Sequence, residues 1–525
     1  MSQVYELSFG KNGLGDILQH AHGTDWPVVY MISNDDEMYI GETINLFIRS
    51  NQHLENPKRQ KLKRLHFVAD EHFNKSATLD IESWLIQYVA ADGKYRLQNG
   101  NGGLRDHSYY DRDRSRAIFE VLWKELQKRK LVKQDLTQIR NSDLFKFSPY
   151  KSLTAEQLIV AQQLEEHVSQ SRGATTFIVH GRPGTGKTIL ATYFMKRLRD
   201  QEETKHLKIG LVVAMSSLRN TLKKVFKNVD GLSAKMVVGP ADVVGKDYDL
   251  LVVDEAHRLR QRKNITNYAA HDAKNRALRL DENGTELDWV LLSSKKQILF
   301  YDEKQSVRPS DVNAEDFAKL KTKNFVLENQ MRVKGGEEYL NMIEDVLEVR
   351  PRKVYNIKDY DFKIYDDLGQ MVQDIRKKNN DHDLSRLVAG YAWPWKSKKN
   401  PKDYDIEIDD VKLRWNSTID NWVNSPNAIN EVGCIHTAQG YEFNYAGVIV
   451  GPEMSFDPDK QEFFIKDEYY FDRNGFQGVQ NPEELKRYII NIYKTLLTRG
   501  IEGTYVYFVD KEVERYMRSY LFLSV

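Results

Sequence analysis

The chain is short of sulfur, of net charge and of long apolar runs. One cysteine, Cys434, stands in 525 residues. That excludes an intrachain disulfide and a cysteine-based zinc cluster. The formal net charge is +1, so there is no global cationic field, and any contact with nucleic acid must come from local patches. No run approaches the ~20 apolar residues of a membrane span. The first residues lack a basic region ahead of an apolar core, so no secretory signal is expected. A reducing, cytoplasmic location is the default that follows. There is no internal repeat and no low-complexity tract, and nothing in the sequence sets the oligomeric state.

What remains is ordinary globular composition, 41% hydrophobic and 29% charged. The length is too great for one core, and two to four domains are expected.

The stretch Gly181-Arg182-Pro183-Gly184-Thr185-Gly186-Lys187-Thr188 has the pattern G-x-x-x-x-G-K-[ST]. An apolar run, Phe177-Ile178-Val179-His180, precedes it, and a helical pattern, Ile189-Leu190-Ala191-Thr192-Tyr193-Phe194, follows it. Strand, glycine loop and helix in that order make a phosphate-binding loop. Glycines let backbone N–H groups close around phosphate oxygens, and the helix N-terminus adds partial positive charge. Lys187 is expected on the β- and γ-phosphates of ATP and Thr188 on Mg²⁺.

The first hundred residues have a different texture. Val28-Val29-Tyr30-Met31-Ile32 and Met38-Tyr39-Ile40-Gly41 flank the turn cluster Asn34-Asp35-Asp36-Glu37, which predicts a hairpin. A helix is expected over 45–53, with Arg49 and His53 on one face. A second is expected over 79–89, and Tyr95-Arg96-Leu97-Gln98-Asn99 ends in a glycine-rich turn. One carboxylate with water partners suits Mg²⁺, and one arginine suits a phosphate. The basic run 58–64 is a candidate phosphate-contacting edge or a solvated face.

This pattern resembles the GIY-YIG nuclease family. "VVY" stands at its first motif and "YIG" at its second. An arginine falls ten residues after Tyr39 and a histidine four beyond it, with a glutamate and then an asparagine further on. The resemblance implies a small α+β domain with metal-dependent phosphodiesterase activity. Glu82 would ligand a divalent cation, Mg²⁺ or Mn²⁺. Tyr39, with Tyr30 or His53 nearby, would position or deprotonate the attacking water. Arg49 would neutralise the developing charge, and Asn99 would be structural.

Residues 111–147 show helical periodicity with alternating charge and read as a connector. Ser148-Pro149-Tyr150 marks its end. Beyond it, Thr154 is a plausible N-cap, and Gln157 could bind adenine edge-on. Buried strands are expected at 208–214, 249–257 and 297–302. The middle one ends in Asp254-Glu255. Parallel strands carry ligands at their C-terminal ends, so Asp254 is expected on Mg²⁺ and Glu255 on the hydrolytic water. Gln305 is placed to sense the γ-phosphate. Leu327-Glu328-Asn329-Gln330-Met331-Arg332 offers an arginine, and Thr437-Ala438-Gln439-Gly440-Tyr441-Glu442-Phe443 and Leu496-Leu497-Thr498-Arg499-Gly500 lie near the C-terminus.

That order resembles superfamily 1 helicases, and most of all the Schlafen group 3-like DNA/RNA helicase family, including "LVAGYAWPW" at 387–395. The resemblance implies two RecA-like parallel-sheet lobes with ATP between them. Arg332 and Arg499 would act from the second lobe as arginine fingers. Gln439, Gly440 and Glu442 would couple nucleotide state to the bound strand, with Glu442 near the ribose. Trp393, Trp395 and Trp415 are candidate stacking platforms. A charged insert at 258–285 has no counterpart and is expected to be flexible.

The organisation expected is α/β: a nuclease domain over 1–110, a helical connector over 111–149, and lobes over 150–325 and 326–525. The function expected is an ATP-dependent nucleic-acid motor fused to a metal-dependent endonuclease, cutting DNA under control of ATP state, in antiviral defence or repair. Two competitors stand beside it. One is an NTP-sensing switch that gates the nuclease without translocating. The other is a first domain that binds DNA without cutting it.

Overall fold

Four sheets organise the residues described in this computed structural model, which are 3–101, 111–170, 173–418, 421–438, 440–476, 479 and 481–521. The chain divides into two compact bodies. One holds Met1–Arg172, Thr188–Ile209 and Thr221–Val237; the other holds Gly173–Lys187, Gly210–Asn220 and Val238–Val525.

The first body is built on a five-stranded sheet of β1 Gln3–Ser8, β2 Val28–Ser33, β3 Glu37–Thr43, β4 Arg64–Ala69 and β5 Arg96–Leu97. The order is β1-β4-β2-β3-β5. Strand β2 is buried along its whole length, as its continuous apolar run predicts for a strand covered on both faces. The hairpin expected at Asn34–Glu37 forms, with Tyr30 opposite Gly41. Asn45 caps the helix Leu46–Glu55 by accepting from Ile48 N at 2.9 Å. Asn74 caps the helix Lys75–Asp92 in the same way, and Gly93, at φ 67°, ends it. The connector forms the helix Arg112–Lys128, whose Phe119 and Trp123 rings lie 5.2 and 5.7 Å from Tyr88 on that second helix.

The second body carries two large sheets. Strands β6 Thr175–Gly181, β7 Ile209–Val213, β8 Val237–Val238, β9 Tyr248–Asp254, β10 Ser294–Tyr301 and β11 Thr322–Leu327 form one, in the order β11-β6-β10-β9-β7-β8. The paired strands β6, β9, β10 and β11 run parallel. Next come β12 Asp361–Tyr365, β13 Ser385–Ala389, β14 Ile406–Ile408, β15 Val411–Trp415, β16 Glu431–Cys434 and β17 Phe443–Val450. Strands β18 Met454–Asp457 and β19 Glu462–Ile465 pair with each other, and β20 Gly500–Phe508 returns to the preceding sheet. The order there is β12-β20-β17-β13-β16-β15-β14, parallel except at the β14–β15 hairpin. This is the α/β class read from the sequence.

Three expectations change. The 258–285 stretch holds the helix Tyr268–Ala277 instead of a flexible insert. Arg262 pairs with Asp272 at 2.6 Å, and Asn275 donates to Gly284 O while accepting from the Trp289 indole at 2.6 Å. Local ion pairs order a segment that its charge alone made look solvated. Trp415 is 1% exposed and belongs to a core with Leu387, Val432 and Ile449, so it has no free face for a base. Arg332, expected on the second lobe, follows β11, a strand of the sheet that carries the phosphate loop.

Candidate functional site

Strand β6 delivers the phosphate loop at its C-terminal end. Gly184 and Gly186 take φ values of 84° and 78°, a backbone region that side-chain-bearing residues rarely adopt. A Cβ on Gly181 would lie 2.6 Å from Thr185 Oγ1, so only glycine fits there. Thr185 Oγ1 donates to Arg182 O at 3.0 Å. Lys187 is 5% exposed and curls back on the loop: its Nζ lies 2.5 Å from Gly181 O and 3.1 Å from Arg182 O, with Asp302 at 3.8 Å. Thr188 is its chain neighbour at the start of the helix Lys187–Asp200.

Asp254 and Glu255 end β9. Asp254 is fully buried, and its Oδ1 accepts from Glu255 N at 3.1 Å. Glu255 sits at φ 53°, a conformation that costs a branched or bulky residue of order 1 kcal/mol or more. Its carboxylate lies 2.8 Å from His257 Nε2. Burial pushes the Glu255 carboxyl up, but the charges of His257, Lys187 and Arg499 outweigh it and hold the group well below the usual carboxylate range.

Arg499 is wholly buried. Burial brings its guanidinium down to about 9, and neighbouring Arg332 pushes the same way, while Glu255 and Glu442 oppose. Its Nη1 donates to Tyr441 O at 3.3 Å, but its buried Nε has no hydrogen-bond partner among the described residues. Arg332 Nε donates to Glu442 Oε1 at 2.8 Å. The segment bearing Arg332 is fixed by its backbone: Met331 N donates to Gly184 O at 2.9 Å, and Gln330 Oε1 accepts from Val333 N at 2.7 Å. Gln305 is buried and donates to Asp302 Oδ2 at 2.7 Å. Gly440 is at φ 87°. Lys187, Glu255, Arg332, Glu442 and Arg499 therefore act on one another. Gln439 lies outside the described residues. Gln157 belongs to the other body, where its amide oxygen accepts from Thr154 N and Thr154 Oγ1 accepts from Gln157 N, a reciprocal cap on the helix Ala155–Gln170.

The sequence did not reveal Glu344. This side chain, 4% exposed, comes from the helix Gly336–Leu347. It meets Arg182 of the phosphate loop at 3.1 Å, Lys494 at 3.0 Å, Arg350 at 3.2 Å and Lys304. Burial pushes its carboxyl up, and Lys304 and Lys494 bring it down to about 2. A cavity of about 600 Å³ opens beside Gly181, Arg182, Asp302 and Lys304. An unpartnered buried donor on Arg499, a glycine loop with no room for a Cβ and the Lys187 ammonium curled on that loop fit a polyphosphate.

The first body has a separate cluster. Tyr30 on β2 and Tyr39 on β3 lie with ring centroids 6.3 Å apart. Tyr30 Oη is 2.7 Å from His53 Nε2 and accepts from Arg49 Nε at 3.3 Å. Arg59 stacks over the Tyr39 ring at 3.7 Å and hydrogen-bonds His53 Nδ1. An arginine can only donate, so Nδ1 accepts and the His53 proton sits on Nε2, aimed at Tyr30 Oη. Burial lowers His53 to about 3, with Arg59 and Arg49 adding to it. The imidazole is therefore neutral and has no lone pair open to a water. A Cβ on Gly41 would lie 2.4 Å from Tyr30 Oη, which is why glycine follows Tyr39-Ile40. Glu82 is raised to about 7 by burial and by Glu42, against Lys75 and Arg49. Glu42 ion-pairs with Lys75 and accepts from Thr78 Oγ1 at 3.2 Å. Arg59, Glu42 and Lys75 were not singled out from the sequence; the position of Glu42 directly after "YIG" was the available signal. Asn99 is structural as expected: its amide accepts from Ile40 N at 3.0 Å and donates to Ile40 O at 2.8 Å. Among the described residues no three His, Cys, Asp or Glu side chains converge as a metal cluster.

Comparison with known proteins gives the following. An uncharacterized protein of Saccharomyces cerevisiae is 28% identical over 406 residues, covering 68% of this chain and 86% of that protein. Among solved structures, the Pif1 helicase from Bacteroides in complex with ADP-AlF3 and single-stranded DNA is 12% identical, covers 68% of this chain and 92% of that chain, and has a TM-score of 0.29. Arterivirus nonstructural protein 10, a helicase in complex with DNA, is 11% identical over 67% of this chain and 64% of that one, with a TM-score of 0.30. The family model for the Schlafen group 3, DNA/RNA helicase domain matches residues 174–510. That span covers the phosphate loop, Asp254 and Glu255, and both arginines, and the chain belongs to this helicase-domain family.

Proposed function

We propose that the chain is an ATP-driven nucleic-acid motor joined to a metal-dependent endonuclease, with DNA as the substrate and ATP state as the control. In this reading residues 1–110 are the cutter, 111–149 the connector, and the β6–β11 sheet and the sheet that begins at β12 the two lobes, so that the boundary expected at 325/326 moves beyond Arg332. One observation carries the motor reading: the buried, unpartnered Arg499 Nε beside Glu255 and Arg332. A buried cationic donor left open costs free energy until an anion meets it. The γ-phosphate of ATP is the anion the family would bring.

The residues act as follows. Lys187 exchanges the carbonyls of Gly181 and Arg182 for phosphate oxygens. Thr188 and Asp254 would hold Mg²⁺, which neutralises phosphate charge when bound. Glu255, kept ionised, accepts hydrogen bonds from the attacking water and orients it. Arg332 and Arg499 offset the charge that builds on the γ-phosphoryl group. Losing that charge after hydrolysis removes the attraction of Arg499 and would reopen the cleft. Gln305, linked to Asp302, would sense the change.

At the cutter, Glu82 and Glu42 would hold Mg²⁺ or Mn²⁺, whose Lewis acidity supports phosphodiester hydrolysis. Arg49 would meet the phosphate. Tyr30 receives donors from Arg49 and His53, which favours its phenolate form, while burial still holds the phenol well above its ordinary value. Tyr39 would then position the water, and Tyr30 as phenolate would take its proton, with His53 orienting Tyr30 and taking no proton itself.

Plasmid, linear and single-stranded DNA, each incubated with Mg²⁺ or Mn²⁺, with and without ATP, test the whole reading. Cleavage that responds to ATP in the wild type and not in Lys187→Ala protein is the expected result. Cleavage indifferent to ATP and to that substitution would break the coupling. ATPase unresponsive to single-stranded DNA would favour a nucleotide sensor over a motor.

A further inference from the structure

The twelve residues 391–402, directly after β13, contain Trp393, Trp395 and four lysines, Lys396, Lys398, Lys399 and Lys402, and no acid. Asp403, Asp405 and Glu407 follow directly, bonded to Asn400, Ser397 and Lys396, so the excess positive charge of the segment rests on Lys398, Lys399 and Lys402. The lysines are exposed, and the two indoles are half-buried. Among the described residues, no carboxylate lies within ion-pair distance of Lys398, Lys399 or Lys402, and Lys396 reaches Glu407 only at 3.9 Å. Lys398 Nζ sits 5.5 Å from the Trp395 ring centroid.

The segment is held rigid from beneath. Asp405 accepts from Ser397 N at 2.8 Å, Ser397 Oγ at 2.5 Å and Trp415 N at 2.8 Å. The Trp415 indole donates to Trp393 O at 3.3 Å, and its ring stacks on Tyr391 at 5.5 Å and 18°. Phe471 N donates to Tyr391 O at 2.9 Å. Strand β13 lies inside its parallel sheet, and such sheets bind ligands beyond their C-terminal strand ends. A preorganised surface of this kind loses little freedom on binding.

Rings interleaved with unneutralised cations fit a partner that offers flat apolar faces and phosphates at short intervals. A duplex hides its base faces in its stack, whereas a single strand presents them. We propose that residues 391–402 form a docking surface for single-stranded nucleic acid, with Trp395 stacking on a base and Lys398 and Lys399 taking neighbouring phosphates. The inference rests on the motor reading and deepens it.

The test is fluorescence anisotropy of the full chain with labelled oligothymidylate across a salt series, with ATPase stimulation by the same oligonucleotide read in parallel. Trp395→Ala should weaken binding about tenfold, and Trp395→Phe, which keeps a ring and the packing, should stay within about threefold of the wild type. Lys398→Glu with Lys399→Glu should lower the slope of log affinity on log salt by about one to two. A wild type that binds and is stimulated, with every variant matching it in affinity and slope, overturns the surface and leaves the motor standing. A wild type that neither binds nor is stimulated removes both. Blunt duplex bound as tightly as the single strand overturns the stacking role.

Discussion

The two sites deal with buried charge in opposite ways. In the first body, burial wins. Glu82 rises to about 7, His53 falls to about 3, and the Tyr30 phenol rises as well. Around the phosphate loop, partners win for the carboxylates, though burial still lowers Arg499. Glu255 stays well below its ordinary value, and Glu344 is held at about 2 despite burial. The second site keeps its carboxylates ionised and paired and leaves one cationic donor, Arg499 Nε, open, the arrangement the proposed polyphosphate would complete. The first keeps its carboxyl and imidazole close to neutral, and the cation proposed above would have to ionise that carboxylate on binding. Local partner count, and not depth, separates the two.

The strongest way to break this comparison is at Arg499. Arg499→Ala should lower ATP turnover by about a thousandfold or more, with nucleotide affinity much less affected, as steady-state ATPase and binding titration would show. Turnover within a few-fold of the wild type would mean that this cation does not face the reacting phosphate. Lys187→Ala should cost about a hundred- to a thousandfold in the same assay. At the other site, Glu82→Gln should cut metal-dependent cleavage by about a hundredfold or more and weaken Mn²⁺ binding by calorimetry. Because the wild-type carboxyl is already near neutral, the unfolding temperature should move by less than about 2 °C. A large loss of stability would show that Glu82 is ionised and paired.

Glu453 sharpens the comparison from inside the second body. It is fully buried with one hydrogen bond, from Tyr493, and its Oε2 has no partner among the described residues. Burial raises it to about 7, the behaviour of the first site. Its folded value lies above the unfolded one near 4.5, so the native state holds more protons between those values. Stability from this group is therefore complete below about pH 4.5, falls as pH rises to about 7 and is flat beyond, by about 3 kcal/mol in all. Glu453→Gln should remove that slope in unfolding midpoints measured at about pH 5.5 and about pH 8. The smallest expected effect is at Gly41→Ala, whose methyl would displace the Tyr30 hydroxyl, at a cost of about 1–3 kcal/mol in denaturant unfolding together with a loss of cleavage.

The elements most legible from sequence were those whose signal is local. The phosphate loop, the hairpin around Asn34–Glu37 and the acids ending β9 depend on neighbours within a few positions, and each formed where expected. Groups joined over long separations were not legible. Glu344 meets Arg182 from 162 positions away, and no periodicity announces such a pair. Arg59 looked like one more charge in a basic run, yet its place beside Tyr39 decides the tautomer of His53. Trp415 shows the limit of composition: an aromatic near lysines read as a binding face, but the strand period turns it into the core.

The hydrogen bond from Met331 to Gly184 has a consequence for timing. Arg332 is moored to the cradle itself, so in the motor reading proposed above it would register that a nucleotide has arrived but not where the opposite sheet stands. That second report is left to Arg499. A stroke built this way has a stationary jaw and a moving one, and its cadence would be set by how quickly the moving one lets go.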